Sequence, residues 1–338
     1  MTKFYFQKIL QKDGWKNKVR ISIDKEGLIS EIIEYYNGND YQINIPLAIP
    51  GIPNAHSHAF QYAMAGLTEN HSVNRSSNFW TWRNEMYNLA LNIDPDSLQA
   101  IATMLYSEML NNGYTSVAEF HYLHHDKDGN KYSNVCELGE RLLIAAQEVG
   151  INITIVPIFY NKGGFNKKYE NEQKRFISQN TDEYLSLFEK TVETALKYGS
   201  KTGIGAHSIR AVNEKILGEI NKYNGNKYPF HLHIAEQLKE VEESIKYLGQ
   251  RPVEWLYNNF EIGENHHLVH ATHLTDKETN LVTSNKSNVI LCPITEGNLA
   301  DGIFNYDLFQ KKEGNWCIGS DSNVGLSPFE EIRLLDYS

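Results

Sequence analysis

The two histidines of the segment NAHSH (54–58) have a spacing that suits metal binding. The segment follows the apolar run IPGIP, and in an extended chain side chains two residues apart point to the same side. One metal ion could therefore bind both His56 and His58, since histidine nitrogens are common ligands of catalytic zinc. Alone, the pair is equally compatible with two histidines in a core or on a surface.

Three further segments carry histidine or acidic side chains at the end of a short apolar run: HLHIAE (231–236), LVHATH (268–273) and IGSDS (318–322). Each has an ordinary explanation, a histidine bonded within the core or an aspartate that caps a helix. That explanation accounts poorly for their occurrence together, in this order and each after a predicted strand.

A catalytic zinc ion takes nitrogen and oxygen ligands and leaves one position open for water. The residues that could supply those ligands are His56, His58, His233 and Asp321. Glu236 follows His233 by three residues, where a turn could direct it toward the same centre. His231 is interpreted as a packing residue, with ligation as the less favoured alternative.

The elements that must position these residues are strands alternating with helices. From residue 49 onward, short apolar runs alternate with longer amphipathic stretches, which indicates βα units and a parallel sheet. Eight candidate strands predict an α/β fold, a (β/α)8 TIM-type barrel over 49–338, with functional residues at the carboxyl ends of its strands. Residues 1–48 show short alternating segments that predict a small β-domain. Two non-periodic stretches, 66–92 and 161–180, predict loops over the site.

Composition excludes several classes of function. The 338 residues carry a formal net charge of −10, whereas a nucleic-acid binder needs a basic surface. No stretch approaches the length of apolar chain that spans a membrane, and the N-terminus shows no apolar signal region. The three cysteines are far apart and odd in number, as is typical of reduced thiols. The sequence therefore predicts a cytoplasmic enzyme that binds neither nucleic acid nor membrane.

The combined pattern resembles the amidohydrolase superfamily, in its deaminase branch. The resemblance rests on His-x-His after the first strand, His-x-x-Glu after the fifth, a histidine after the sixth and an aspartate after the eighth. It implies one divalent metal ion, Zn²⁺ in the first place with Fe²⁺ as the alternative. It also implies hydrolysis of a C–N bond at an amide or amidine-like carbon.

Within that superfamily the chain is more closely similar to the formimidoylglutamate deiminases. The segments that carry this similarity are PNAHSHAFQYAMAG (53–66), FWTWRNEMY (79–87), GYTSVAEFHYLHH (113–125), AHSIRAV (206–212), HLHIAEQ (231–237), LVHATHL (268–274), CPITEGNLADGIF (292–304) and GSDSNVGLSPFEEIRLL (319–335). The similarity implies deimination of N-formimino-L-glutamate to N-formyl-L-glutamate and ammonia in histidine degradation, by a homodimer. Family members continue beyond the position of Ser338, so a barrel truncated at its C-terminus and lacking its last helix is expected.

The resemblance also assigns roles to individual residues. Glu236 would transfer protons between water and the leaving nitrogen, and His270 and Asp321 would assist at the reacting carbon. The residues implied to bind the small anionic substrate are Gln61, Arg83, Tyr122, His207 and Arg210. Arginine suits the two carboxylates of such a substrate because its guanidinium binds carboxylates in a bidentate manner. From the residues alone, Arg83 reads better as a surface arginine stacked on its aromatic neighbours.

Two alternative functions stay open from the sequence. One is another amidohydrolase deaminase that acts on a neutral heterocycle and reads it with amide or carboxylate side chains. The other is a catalytically inactive truncated chain that binds metal without turnover. Ammonia release and metal content would separate the three.

Overall fold

A computed structural model describes residues 1–67 and 79–337, with only the backbone described over 79–81. The chain divides into two compact units, Met1–Ile52 and Pro53–Ser338. No helix among the described residues combines the length and the apolar character needed to cross a membrane.

The first unit is a four-stranded sheet in the order β3-β2-β1-β4. Its strands are β1 (Thr2–Gln11), β2 (Gly14–Ile23), β3 (Ile29–Ile33) and β4 (Ile43–Ala48). The pairs β1–β2 and β2–β3 are antiparallel, and β4 lies parallel to β1. The sequence placed the end of this region at residue 48, and its assignment as a domain stays a prediction.

The second unit contains a ring of parallel strands in the order β13-β12-β11-β10-β9-β7-β6-β5. They are β5 (Ile52–Ser57), β6 (Tyr114–His121), β7 (Asn152–Phe159), β9 (Ile204–Ser208), β10 (Phe230–Ile234), β11 (His266–His270), β12 (Asn288–Leu291) and β13 (Asn315–Ile318), with the two-residue β8 (Lys201–Thr202) beside β7. A parallel bridge between Ser57 and Asp321 joins the first strand of the ring to the last. The predicted TIM-type barrel is confirmed.

Helices surround this ring and return the chain to the start of each following strand. They are α1 (Phe79–Ala90), α2 (Pro95–Asn112), α3 (Glu137–Val149), α4 (Thr181–Lys197), α5 (Glu214–Asn224), α6 (Leu238–Leu248), α7 (Pro252–Asn259), α8 (Asp276–Ser284), α9 (Pro293–Leu299), α10 (Tyr306–Lys311) and α11 (Pro328–Tyr337). Their ends follow the local sequence: Asp94 caps α2 by accepting from the Ser97 amide, and Gly113 ends it at a φ of 104°. The helix α11 follows the last strand of the ring. The expected lack of the last barrel helix stays a prediction.

The stretch 66–92 differs from its prediction as a loop, because α1 lies within it. The buried side chains of Met86, Tyr87 and Ala90 recur at helical spacing, so they form one packed face of α1. Residues 68–78 lie outside the described part of the chain. In the described segment 161–180 the regular structure is a short 3₁₀ helix over Asn171–Gln173.

Arg175 joins the segment 161–180 to the end of α1. Its side chain is fully buried and donates to the carbonyls of His125 (2.9 Å), Ile93 (2.7 Å) and Ala90. The carbonyl of Arg175 accepts in turn from the His125 amide at 3.0 Å. A guanidinium has several N–H donors and can bind several carbonyls at once. Arg175 therefore connects its own segment to two others, residues 90–93 and the segment of His125.

We expect Arg175→Met to lower the free energy of unfolding by about 2–4 kcal/mol, because buried carbonyls would lose their donors. Urea denaturation followed by circular dichroism measures this change. Arg141→Met is the matched control, since Arg141 forms partly exposed ion pairs with Asp96 and Glu137. Its removal should cost less than about 1 kcal/mol. Equal losses for the two variants would contradict the role given to Arg175.

Candidate active site

Four side chains converge at the carboxyl ends of the barrel strands. His56 and His58 stand at the end of β5, His233 on β10, and Asp321 three residues after β13. The Asp321 Oδ1 lies 3.2 Å from Nε2 of both His56 and His58, and Nε2 of His233 lies 3.1 Å from that of His56. One ligand atom from each residue lies within 4.8 Å of all the others, and all four residues are buried. The structure therefore brings together the ligand set predicted from the sequence.

The chemistry of these donors fits a divalent cation. Nδ1 of His58 lies 2.9 Å from the Phe120 carbonyl, and Nδ1 of His233 lies 3.0 Å from the His207 carbonyl. A carbonyl only accepts, so each Nδ1 carries the hydrogen and each Nε2 presents a lone pair to the centre. Burial lowers the pKa of His56 to about 3 and that of His233 well below its usual value. Neutral imidazoles facing one carboxylate form an electron-rich group that a divalent metal would stabilise.

Asp321 is ionised in this arrangement. Burial alone would raise its pKa, but the close approach of His56 and His58 and the positive charge of His270 hold the pKa of Asp321 well below its usual range. Its backbone is fixed as well, because the Asp321 amide donates to the His56 carbonyl at 2.9 Å and its carbonyl accepts from the His58 amide at 3.0 Å. The backbone hydrogen bonds that close the barrel thus fix the relative positions of three of the four residues, His56, His58 and Asp321.

Glu236 lies beside this group, after a turn in which Ala235 has a φ of 51°. Its Oε1 is 3.9 Å from Nε2 of His270, and its Oε2 is 3.7 Å from Nη2 of Arg210. Burial raises the pKa of Glu236, while His270 and Arg210 oppose that rise. A buried carboxyl with a raised pKa can both take and return a proton near neutral pH.

His270 is held by a carboxylate that sequence reasoning did not identify. Its Nδ1 lies 3.2 Å from Oε1 of Glu296, which also accepts from the Cys292 amide at 2.9 Å. Burial alone would lower the pKa of His270, but Glu236, Glu296 and Asp321 together raise it to about 10. Glu296 stands four residues after Cys292 in the segment CPITEGNLADGIF, and that spacing after a strand was the signal available.

A pocket of about 50 Å³ opens in front of these residues. Its lining includes every predicted substrate-binding residue, Gln61, Arg83, Tyr122, His207 and Arg210, together with His58, His233, Glu236, His270 and Asp321. Gln61 donates from Nε2 to the Tyr122 hydroxyl at 2.8 Å, and Arg83 donates from Nε to the Tyr87 hydroxyl at 2.6 Å. The roles assigned to these residues stay predictions.

Sequence reasoning missed part of the pocket wall, which is completed by Trp82, Met86, Tyr87, Tyr160, Phe176 and Leu299. The aromatic run FWTWRNEMY was the signal for those on α1. His231 lies apart from the four-residue cluster, with its ring stacked on His267 at a centroid distance of 4.6 Å. This position fits the packing role given to His231.

Residues 47–336 match the amidohydrolase family. The chain is 40% identical over 338 residues to the formimidoylglutamate deiminase of Pseudomonas aeruginosa, a match covering 100% of this chain and 74% of that protein. The crystal structure of an amidohydrolase from Brucella melitensis superposes with a TM-score of 0.95 at 39% identity, over 100% of this chain and 75% of that one. A zinc-bound adenosine deaminase from Xanthomonas campestris is 19% identical with a TM-score of 0.78, over 98% of this chain and 72% of that one, and supports the fold alone. The chain belongs to the amidohydrolase family.

Proposed function

We propose that this chain hydrolyses N-formimino-L-glutamate to N-formyl-L-glutamate and ammonia. The observation that carries the proposal is the pocket that Arg83 and Arg210 line together with Glu236 and three residues of the proposed metal site, His58, His233 and Asp321. A substrate with two carboxylates and one amidine-like carbon matches that combination of groups. The 40% identity to a formimidoylglutamate deiminase supports the same substrate.

The reaction needs a nucleophile and a route for protons. A divalent metal held by His56, His58, His233 and Asp321, which we propose to be zinc, would lower the pKa of a water molecule toward neutrality. Glu236 accepts a proton from the attacking water and delivers it to the formimino nitrogen, which then leaves as ammonia. One water adds to the C=N carbon and one ammonia departs, so the product is the formyl amide.

Three of the chain's residues act beside Glu236 in this scheme. His270 presents Nε2 at 3.9 Å from Glu236 Oε1, where it can stabilise the tetrahedral carbon's new oxygen. Asp321 can take up the second proton of the water and return it to the leaving nitrogen, which needs both protons to depart as ammonia. Arg210 lies 3.7 Å from Glu236 Oε2, so binding of a substrate carboxylate to Arg210 would place the substrate next to the proton carrier.

Substrate recognition rests on the polar wall of the pocket. Arg83 and Arg210 bind the carboxylates, and both are held by neighbouring groups, the Tyr87 hydroxyl at 2.6 Å and Glu236 at 3.7 Å. Gln61, Tyr122 and His207 supply hydrogen bonds that fix the substrate's orientation. A neutral ring offers no carboxylate to either guanidinium group, so it would form neither of these contacts and would bind less tightly.

The test is ammonia release from N-formimino-L-glutamate by the purified, zinc-reconstituted protein, with guanine, cytosine and N-formimino-glycine as controls. We expect release with the glutamate derivative, loss of activity after treatment with a chelator, and recovery when zinc is added. Metal analysis should give one zinc per chain for the active protein. Activity confined to guanine or cytosine would overturn the substrate, and a metal-loaded but silent protein would favour the inactive alternative.

The proposal extends to the setting of the reaction, a step of histidine degradation in the cytoplasm by a homodimer. The three cysteines are unpaired, which is typical of a reducing compartment. Size-exclusion chromatography with light scattering measures the oligomeric state, and a monomer at micromolar concentration would contradict the dimer.

A further inference from the structure

Gln173 lies behind the pocket wall and joins two tyrosines that face the pocket. It is fully buried, and its Nε2 lies 2.9 Å from the Tyr87 hydroxyl and 2.7 Å from the Tyr160 hydroxyl. Its Oε1 accepts from the Glu170 amide at 2.7 Å. A backbone amide can only donate, so this bond fixes which end of the side-chain amide is oxygen. Gln173 therefore donates one hydrogen to each tyrosine.

The hydrogens carried by the two hydroxyls and donated to them outnumber the acceptor sites on the two oxygens. Arg83 also donates to Tyr87, from Nε at 2.6 Å, which brings the N–H groups directed at the pair to three. Each hydroxyl oxygen has two acceptor sites and one hydrogen of its own. Five hydrogens, three from nitrogen and two from the hydroxyls, thus compete for four acceptor sites on the two oxygens. At least one hydroxyl hydrogen must find an acceptor outside the pair.

Within residues 1–67 and 79–337, the pocket is the place that remains for that acceptor. Among the residues that the structure describes, neither hydroxyl donates to a carbonyl or carboxylate oxygen. Both rings pack against the apolar ring of Phe176, at centroid distances of 5.9 Å for Tyr87 and 5.8 Å for Tyr160. On its other side Tyr160 contacts His207 at 4.6 Å, and all these residues line the pocket.

We infer that Tyr87 and Tyr160, oriented by Gln173, form an additional substrate-binding group that donates a hydrogen bond to a carboxylate of the substrate beside Arg83. This inference rests on the proposed function. Arg83 and Gln173 fill three of the four acceptor sites, and the hydroxyl of one tyrosine can fill the fourth by donating to the other. The second hydroxyl must then donate its hydrogen outside the pair, and an anionic oxygen is the acceptor that forms the strongest hydrogen bond with it. Gln173 acts through the tyrosines and is a positioning residue.

The test is the double variant Tyr87→Phe/Tyr160→Phe assayed with N-formimino-L-glutamate. We expect KM to rise about tenfold or more, the loss typical of a hydrogen bond to a charged group, while kcat changes little. Gln173→Met should raise KM in the same direction, because without its two N–H groups the hydroxyls can satisfy each other. Tyr257→Phe is the control, since that hydroxyl binds Ser287 at 2.7 Å away from the pocket, and its KM should equal the wild-type value.

Two monocarboxylate analogues separate binding from a structural effect: N-formimino-4-aminobutanoate and N-formimino-2-aminobutanoate. The KM ratio of double variant to wild type should fall toward one for the analogue that lacks the contacted carboxylate, and persist for the other. Equal ratios for both analogues, or an unchanged KM for N-formimino-L-glutamate, would overturn the inference while leaving the proposed function intact. A wild-type protein that releases no ammonia would overturn the proposed function and this inference with it. Zinc content and thermal unfolding verify that each variant is folded.

Discussion

Glu236→Gln should lower kcat by about 10²- to 10⁴-fold, the contribution typical of general acid–base catalysis, while the metal stays bound. The reason is geometric, because Glu236 lies next to the cluster of His56, His58, His233 and Asp321 but outside it. An amide in its place has the same shape and cannot carry a proton. Steady-state kinetics with metal analysis of the same preparation measures both quantities, and near-normal turnover with full metal content would contradict the assignment.

Glu240→Gln is the control for that variant. Glu240 is also buried, and it accepts from the amides of Ala235 and Glu236 at 3.3 Å. Burial raises the pKa of Glu240 to about 7, so a large fraction is already neutral at physiological pH and glutamine resembles that form. We expect less than a tenfold change in kcat. A loss equal to that of Glu236→Gln would indicate that any change in buried charge here disables the enzyme.

Arg210→Met should lower kcat/KM for N-formimino-L-glutamate by about 30-fold or more. The reason is that a substrate carboxylate would then be buried without a positively charged partner. Arg210 is buried at the pocket wall, so a substrate carboxylate that meets it is shielded from water. Arg210→Lys should recover only part of the loss, because lysine keeps the charge and loses the bidentate geometry. Initial-rate kinetics over a range of substrate concentrations gives the ratio.

Substrate analogues provide the control for Arg210. With a monocarboxylate substrate that lacks the contacted group, wild type and Arg210→Met should have similar kcat/KM values. If the variant is impaired equally with every substrate, Arg210 acts through Glu236 instead, from which it is 3.7 Å away. In that case the pH dependence of kcat would shift, because Arg210 lowers the pKa of Glu236 against the effect of burial.

The barrel and the candidate metal ligands could be predicted because both depend on local, periodic features. His56 and His58 lie two residues apart at the end of a strand, and parallel strands of a barrel present their carboxyl ends at one face. Once eight strands were counted, His233 and Asp321 had to lie near the same face. This reasoning needs only the position of each residue relative to the end of its strand.

The remaining part of the site depends on contacts between distant segments. Gln173 lies in a segment without periodicity, and its partner Tyr87 is on α1, 86 residues earlier. Glu296 meets His270 only because β11 and β12 are neighbours in the ring. Nothing in the local sequence of Gln173 distinguishes it from an ordinary polar residue, and the spacing of Glu296 after its strand does not reveal that its partner is His270. The helix α1 was missed because its apolar face becomes evident only when it is packed.

The bridge between Ser57 and Asp321 has a consequence for how the protein matures. It joins positions at opposite ends of the barrel sequence, and contacts between such distant residues carry a large loop-closure entropy and form slowly. His56 and His58 come next to Asp321, the last of the four proposed ligands along the chain, only when this seam has formed. A chain that has folded incompletely therefore presents an incomplete chelating group. Because the metal would bind the closed ring and not the open one, its binding would shift the folding equilibrium toward the closed ring. The cation would then stabilise the last step of folding in addition to its part in catalysis.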